Sequence, residues 1–79
     1  ALYHMADTHY QLGEFKLALD YLKRYEAVAQ HSPQTLWLGI QIQRALEQTA
    51  EEAKYAMLLR SQYPDSEEAY RLRQLEKPR

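Results

Sequence analysis

Apolar residues fall at helical intervals along this chain from end to end. Leu2, Met5, Ala6 and Leu12 recur at the spacing of one helix face and predict a first helix over 1–12. Gly13 ends it, because glycine takes the left-handed conformation that commonly follows a helix C-terminus. Phe15, Ala18, Leu19, Leu22, Tyr25 and Ala29 form one buried stripe on a second helix, from about Glu14 to Gln30. Ser32-Pro33 opens a third, with Ser as N-cap and Pro at the first helical position, where its missing N–H costs nothing. Leu46 to Gln48 closes it. Thr49-Ala50-Glu51-Glu52 has the form of a capping box for a fourth helix, from Ala50 to about Gln62. Pro64 stops that helix, and Asp65-Ser66-Glu67-Glu68 offers a similar cap to a last one running through Glu76. No segment shows the period of two that a half-buried strand needs, so the expected class is all-α.

The helix pairs are written twice. Gln11-Leu12-Gly13-Glu14-Phe15-Lys16-Leu17-Ala18 starts a second helix after a tight turn, and Leu46-Glu47-Gln48-Thr49-Ala50-Glu51-Glu52-Ala53 does so again one unit later. The step from Leu12 to Leu46 is about 34 residues and that from Ala18 to Ala53 about 35, close to the period of the tetratricopeptide (TPR) repeat. With a small residue inside the second helix, the pattern resembles that repeat. The resemblance implies a superhelix whose inner surface binds other proteins. The expected organisation is a TPR-like repeat over 1–31, a second over 32–64, and a C-terminal capping helix and tail over 65–79. Ala18 and Ala53 are expected where the helices of each hairpin cross. A large side chain at either would cost about 1–3 kcal/mol by overpacking.

At 79 residues the core is marginal on its own. The chain opens on Ala1, already inside a helical pattern, and repeat arrays generally need about three or more units. It is therefore expected to be the C-terminal end of a longer array. The first helices would then lack a neighbour, leaving Leu2, Tyr3, Met5 or Tyr10 partly exposed and self-association open. Ten basic and eleven acidic residues are interspersed, for a net charge of −1, which argues against a nucleic-acid groove. No apolar run approaches the roughly 18 residues of a membrane span, and the N-terminus is not signal-like. With no cysteine, composition fits either redox compartment.

Candidates for chemistry are few. His4 and His9 are about 140° apart around a helix, so they share no face, and a zinc pair on a helix would need a spacing of three or four. His9 is expected on the hairpin core and His4 on the surface. Glu51-Glu52 and Glu67-Glu68 fall in first helical turns, where negative charge complements the helix dipole. Nothing pairs a nucleophile with a base and there is no glycine-rich phosphate loop, so neither an enzyme nor a cofactor is expected. Tyr21, Tyr25, Tyr55 and Tyr63 track the second-helix stripes.

Tyr3, Asp7 and Tyr10 form another row, turned by more than roughly 90° from the centre of the Leu2-Met5-His9-Leu12 stripe. Moving on by the Leu12-to-Leu46 interval lands on Trp37, Gln41 and Arg44. First helices line the concave side in TPR-like stacks, so these residues are candidates for an inward-facing, protein-binding strip. Tyr, Trp and Arg are the types enriched in binding hot spots. Burial of Trp37 between repeats is the competing possibility. The basic cluster Arg71, Arg73, Lys77 and Arg79, offset by Glu67, Glu68 and Glu76, fits a solvated last helix.

Three stretches are more specific than the general repeat: Gln11-Leu12-Gly13-Glu14-Phe15, Thr35-Leu36-Trp37-Leu38-Gly39-Ile40-Gln41-Ile42-Gln43-Arg44-Ala45-Leu46, and Leu58-Leu59-Arg60-Ser61-Gln62-Tyr63-Pro64-Asp65-Ser66. Together they resemble the C-terminal repeats of the PilF/PilW family, TPR lipoproteins of type IV pilus biogenesis also called pilotins. The resemblance spans roughly residues 1–75. Leu2 in place of Trp, Gln48 in place of the turn Gly and Arg60 at a usually small position depart from the generic repeat. The family implies a lipid-anchored helper on the periplasmic face of the outer membrane. It would assist localisation and assembly of the pilus secretin, and so support pili and twitching motility. Its partners would be secretin subunits or other pilus-assembly components, and its anchor lies outside this chain. The alternatives are a generic TPR adaptor or co-chaperone segment binding a peptide in its concave groove, and the regulatory end of an enzyme.

Overall fold

The computed structural model describes residues 2–76, which form α1 (Leu2–Gln11), α2 (Phe15–Val28), α3 (Pro33–Ala45), α4 (Thr49–Gln62) and α5 (Glu67–Glu76). There is no strand among the described residues. The chain is all-α: α1 packs along α2 and α3 along α4 as two hairpins, α3 also contacts α1 and α2, and α5 closes on α3 and α4.

Helix ends set the period. Gly13 follows α1 at φ 81°, where its N–H donates to Tyr10 O at 3.0 Å and the Glu14 N–H donates to His9 O at 2.9 Å. This pair of bonds is the Schellman closure. Glu47 follows α3 at φ 60°, and its N–H donates to Arg44 O at 3.1 Å while the Gln48 N–H donates to Gln43 O at 2.9 Å. Both bonds recur at the Leu12-to-Leu46 interval, donor and acceptor alike. The residue in the place of the turn glycine is thus Glu47, not Gln48. N-caps keep the same step. Ser32 Oγ accepts from the Thr35 N–H at 3.3 Å, with the Ser32 N–H donating back to Thr35 Oγ1 at 2.7 Å, and Ser66 Oγ accepts from the Ala69 N–H at 3.1 Å. So α5 begins in register with α3.

Two expectations fail for a common reason. Thr49 does not cap α4: it is the first helical residue, Gln48 holds the cap position, and no side chain bonds there. Ala53 is not at the crossing; it is exposed, while Ala18 is fully buried. Under the step that the turns share, the counterpart of Ala18 is Glu52. One residue along a helix is a turn of about 100°, which swings Ala53 outward. The buried face of α4 is Tyr55, Ala56 and Leu59 instead. The small residue of the second hairpin lies on the other helix: a Cβ built on Gly39 would stand 3.0 Å from the Tyr55 ring.

The core runs from Ala6, Ala18 and Leu22 through Leu36, Leu38, Ile40, Ile42 and Leu59 to Ala69 and Leu72. Gln43 is buried within it, and its Oε1 has no partner among the described residues. On the first hairpin Leu2, Tyr3 and Tyr10 are half-buried, while Met5, Leu12 and Leu17 are exposed.

Candidate protein-binding groove

The expected strip comes mainly from α3. Helical spacing puts Trp37, Gln41 and Arg44 on one row of that helix. With Ile40 and Ala45 of α3, Tyr10 of α1 and Leu75 of α5, they line an open groove of about 290 Å³. Tyr10 is held by a tilted contact with Phe15, ring centroids 5.6 Å apart. Trp37 is half-buried against the core and also lines the groove. The Arg44 side chain is 53% exposed, and its nearest carboxylate oxygen, on Glu52, stands 3.9 Å away. That leaves most of its donors open to solvent.

Three tyrosines outside the groove have their hydroxyls tied down. The hydroxyls of Tyr25, Tyr55 and Tyr63 donate to Gln30 O, the Glu26 carboxylate and His31 O respectively. Among the described residues no hydrogen bond engages the side chains of Tyr10, Trp37 or Gln41. The groove therefore combines an apolar wall with polar side chains and one cation, Arg44.

Tyr3 and Asp7 do not line the groove. Tyr3 packs against the core, and burial first, then the negative charges of Asp7 and Glu68, push its phenol upward from the ordinary tyrosine range. Leu75, absent from the expected strip, is one repeat step beyond Gln41. Carrying the register into α5 would have found it.

A second cluster, at the joint between the hairpins, lies outside the sequence-based expectations. His31 sits in the connector between α2 and α3. Its Nε2 is 2.8 Å from Glu26 Oε2 and its Nδ1 3.2 Å from Thr35 Oγ1. Tyr55 of α4 donates its hydroxyl to both Glu26 oxygens and sets its ring edge-on to His31, centroids 5.8 Å apart. Burial, then the neighbouring Glu26 carboxylate, push the Tyr55 phenol well up. The signal is hard to read in the sequence because four separate segments contribute these residues.

His4 is exposed. His9 stacks parallel to Tyr21 at 5.2 Å and meets Glu14 at 2.8 Å. No group of three or more His, Cys, Asp or Glu side chains converges as a metal site among the described residues. Glu51, Glu52, Glu67 and Glu68 stand in first helical turns. Arg71 pairs with Glu67 at 2.9 Å and Arg73 donates to Pro64 O at 3.3 Å; Lys77 and Arg79 lie outside the described residues. No helix is long and apolar enough to cross a membrane among the described residues. Compared with known protein families, curated proteins and solved structures, the chain matches none.

Proposed function

We propose that this chain is a non-enzymatic protein-interaction module, built of tetratricopeptide-like hairpins, that seats a partner polypeptide in the groove of Tyr10, Trp37, Gln41 and Arg44. One observation carries this: side chains of hot-spot type from both hairpins, Tyr10, Trp37 and Arg44, converge on one open groove. The regular recurrence of turns and caps supports the repeat architecture, in which first helices line the binding side.

The partner and place follow from the resemblance to the PilF/PilW family. In this proposal the partner is an outer-membrane secretin subunit or another pilus-assembly component. The module works on the periplasmic face of the outer membrane, held by a lipid anchor elsewhere in the protein, and it promotes secretin localisation and assembly. A photo-crosslinking residue in place of Gln41, in the full-length protein in cells, tests this. Adducts to secretin subunits are expected, with few from a crosslinker at Lys54. Adducts to chaperones would favour the adaptor alternative, and equal labelling at both positions would remove the groove from the account.

A further inference from the structure

We propose, on the basis that this groove is the protein-binding surface, that the segment seated in it is both acidic and apolar. A bulky apolar side chain of the segment lies on the wall of Trp37, Ile40, Ala45 and Leu75, and an Asp or Glu side chain beside it pairs with Arg44. Among the described residues that line the groove, Arg44 alone carries a charge, and none is a carboxylate. The electrostatic complement of such a surface is an anion.

Arg44 differs from the other arginines of the described chain. Arg24, Arg60 and Arg71 meet carboxylate oxygens of Asp20, Glu76 and Glu67 at 2.9, 2.6 and 2.9 Å, and Arg73 donates to Pro64 O at 3.3 Å. The carboxylate oxygen nearest to Arg44, on Glu52, stands at 3.9 Å, beyond hydrogen-bond reach. A guanidinium in this state can give an incoming carboxylate two parallel N–H bonds. The apolar wall beside it partly removes water from that pair, which strengthens it relative to one on an open surface. A cationic residue at the same place would meet like charge, so the groove discriminates by repulsion as well as by attraction.

Spacing fixes how close the two features of the segment must be. Trp37 and Arg44 are seven residues apart on α3, about 10 Å along the helix axis. An extended chain covers that distance in about three residues. The acid therefore stands within about three residues of the apolar anchor. One guanidinium beside an open groove sets no stop for the chain, so the carboxylate is that of a side chain within the segment.

The test pans a random peptide library, displayed inside a carrier loop, on the intact chain. Selected peptides are expected to share an Asp or Glu within about three residues of an aromatic or large aliphatic residue. End-capped synthetic copies should shield Trp37, the sole tryptophan and a lining residue, from acrylamide quenching. Changing their acid to the matching amide should raise Kd about fivefold, the factor suited to a half-exposed pair. Arg44→Gln should bind the acidic and amide peptides alike, and Arg44→Glu should favour a Lys in place of the acid. Peptides that shield Trp37 without an acid, or a preference for the acid that survives Arg44→Gln, would overturn this assignment and leave the groove as the binding surface. A selection that yields no peptide, or only peptides that leave Trp37 unshielded, would overturn both.

Discussion

Gly13 and Glu47 occupy equivalent places in the two hairpins, and both adopt the left-handed backbone region, at φ 81° and 60°. They close their helices with the same pair of backbone bonds, yet only the glycine takes that conformation without a steric penalty. The second hairpin therefore carries a local cost that the first avoids.

Glu47→Gly should relieve it. Stability is expected to rise by about 1 kcal/mol, because the left-handed penalty of a residue with a Cβ disappears while the Schellman bonds remain. Gly13→Ala should lower stability by about the same amount, although nothing lies within 4 Å of an added Cβ there. Urea denaturation of both variants checks the pair. Equal, small effects at the two positions would contradict the shared role.

Gly39 tests the true crossing of the second hairpin. Gly39→Ala places a methyl 3.0 to 3.1 Å from ring carbons of Tyr55, which is itself pinned by Glu26, so the clash is not easily relaxed. A loss of about 1–3 kcal/mol is expected despite the better helix propensity of alanine. Ala53→Leu, on the exposed face of α4, should change stability by no more than about 0.5 kcal/mol. The reverse order in thermal melts would restore Ala53 to the crossing.

Gln43 offers a gain. It is 1% exposed and its Oε1 has no partner among the described residues, so it bears a desolvation cost without a bond. Gln43→Met keeps length and flexibility and removes the polar atoms. It should stabilise the protein by about 1 kcal/mol. A marked loss in calorimetry would mean that the amide has a bonding role of its own.

Helix number, the Ser32 cap and the α3 part of the strip are legible because each rests on local spacing or on a single cap residue. The row through Trp37, Gln41 and Arg44 follows from steps of about 100° along one helix and from the Leu12-to-Leu46 interval. Ala53 is misplaced when a residue-type match, Ala to Ala, competes with the turn that sets the register. Nothing in the local pattern marks a glutamate as the left-handed residue, and only the backbone at Glu47 decides between the two intervals. The Glu26–His31–Tyr55 cluster is invisible for a different reason. Its members are polar or amphipathic, come from both hairpins and the connector between them, and form no periodic stripe. Tyr3 and Asp7 belong to the same helical row as Tyr10, yet only Tyr10 lines the groove, although Tyr3 and Tyr10 both pack against the core.

The most direct measurement is the affinity for the proposed partner, secretin subunits, with wild-type protein, Arg44→Ala and Lys54→Ala compared. Arg44 is half-exposed on the groove and contributes no close ion pair to the fold, so its truncation leaves folding intact, as circular dichroism can verify. Loss of an interface arginine of this kind is expected to cost about 2 kcal/mol, roughly a 30-fold rise in Kd, while Lys54→Ala should leave affinity almost unchanged. A folded Arg44→Ala protein that binds as tightly as wild type would contradict the groove as the working surface.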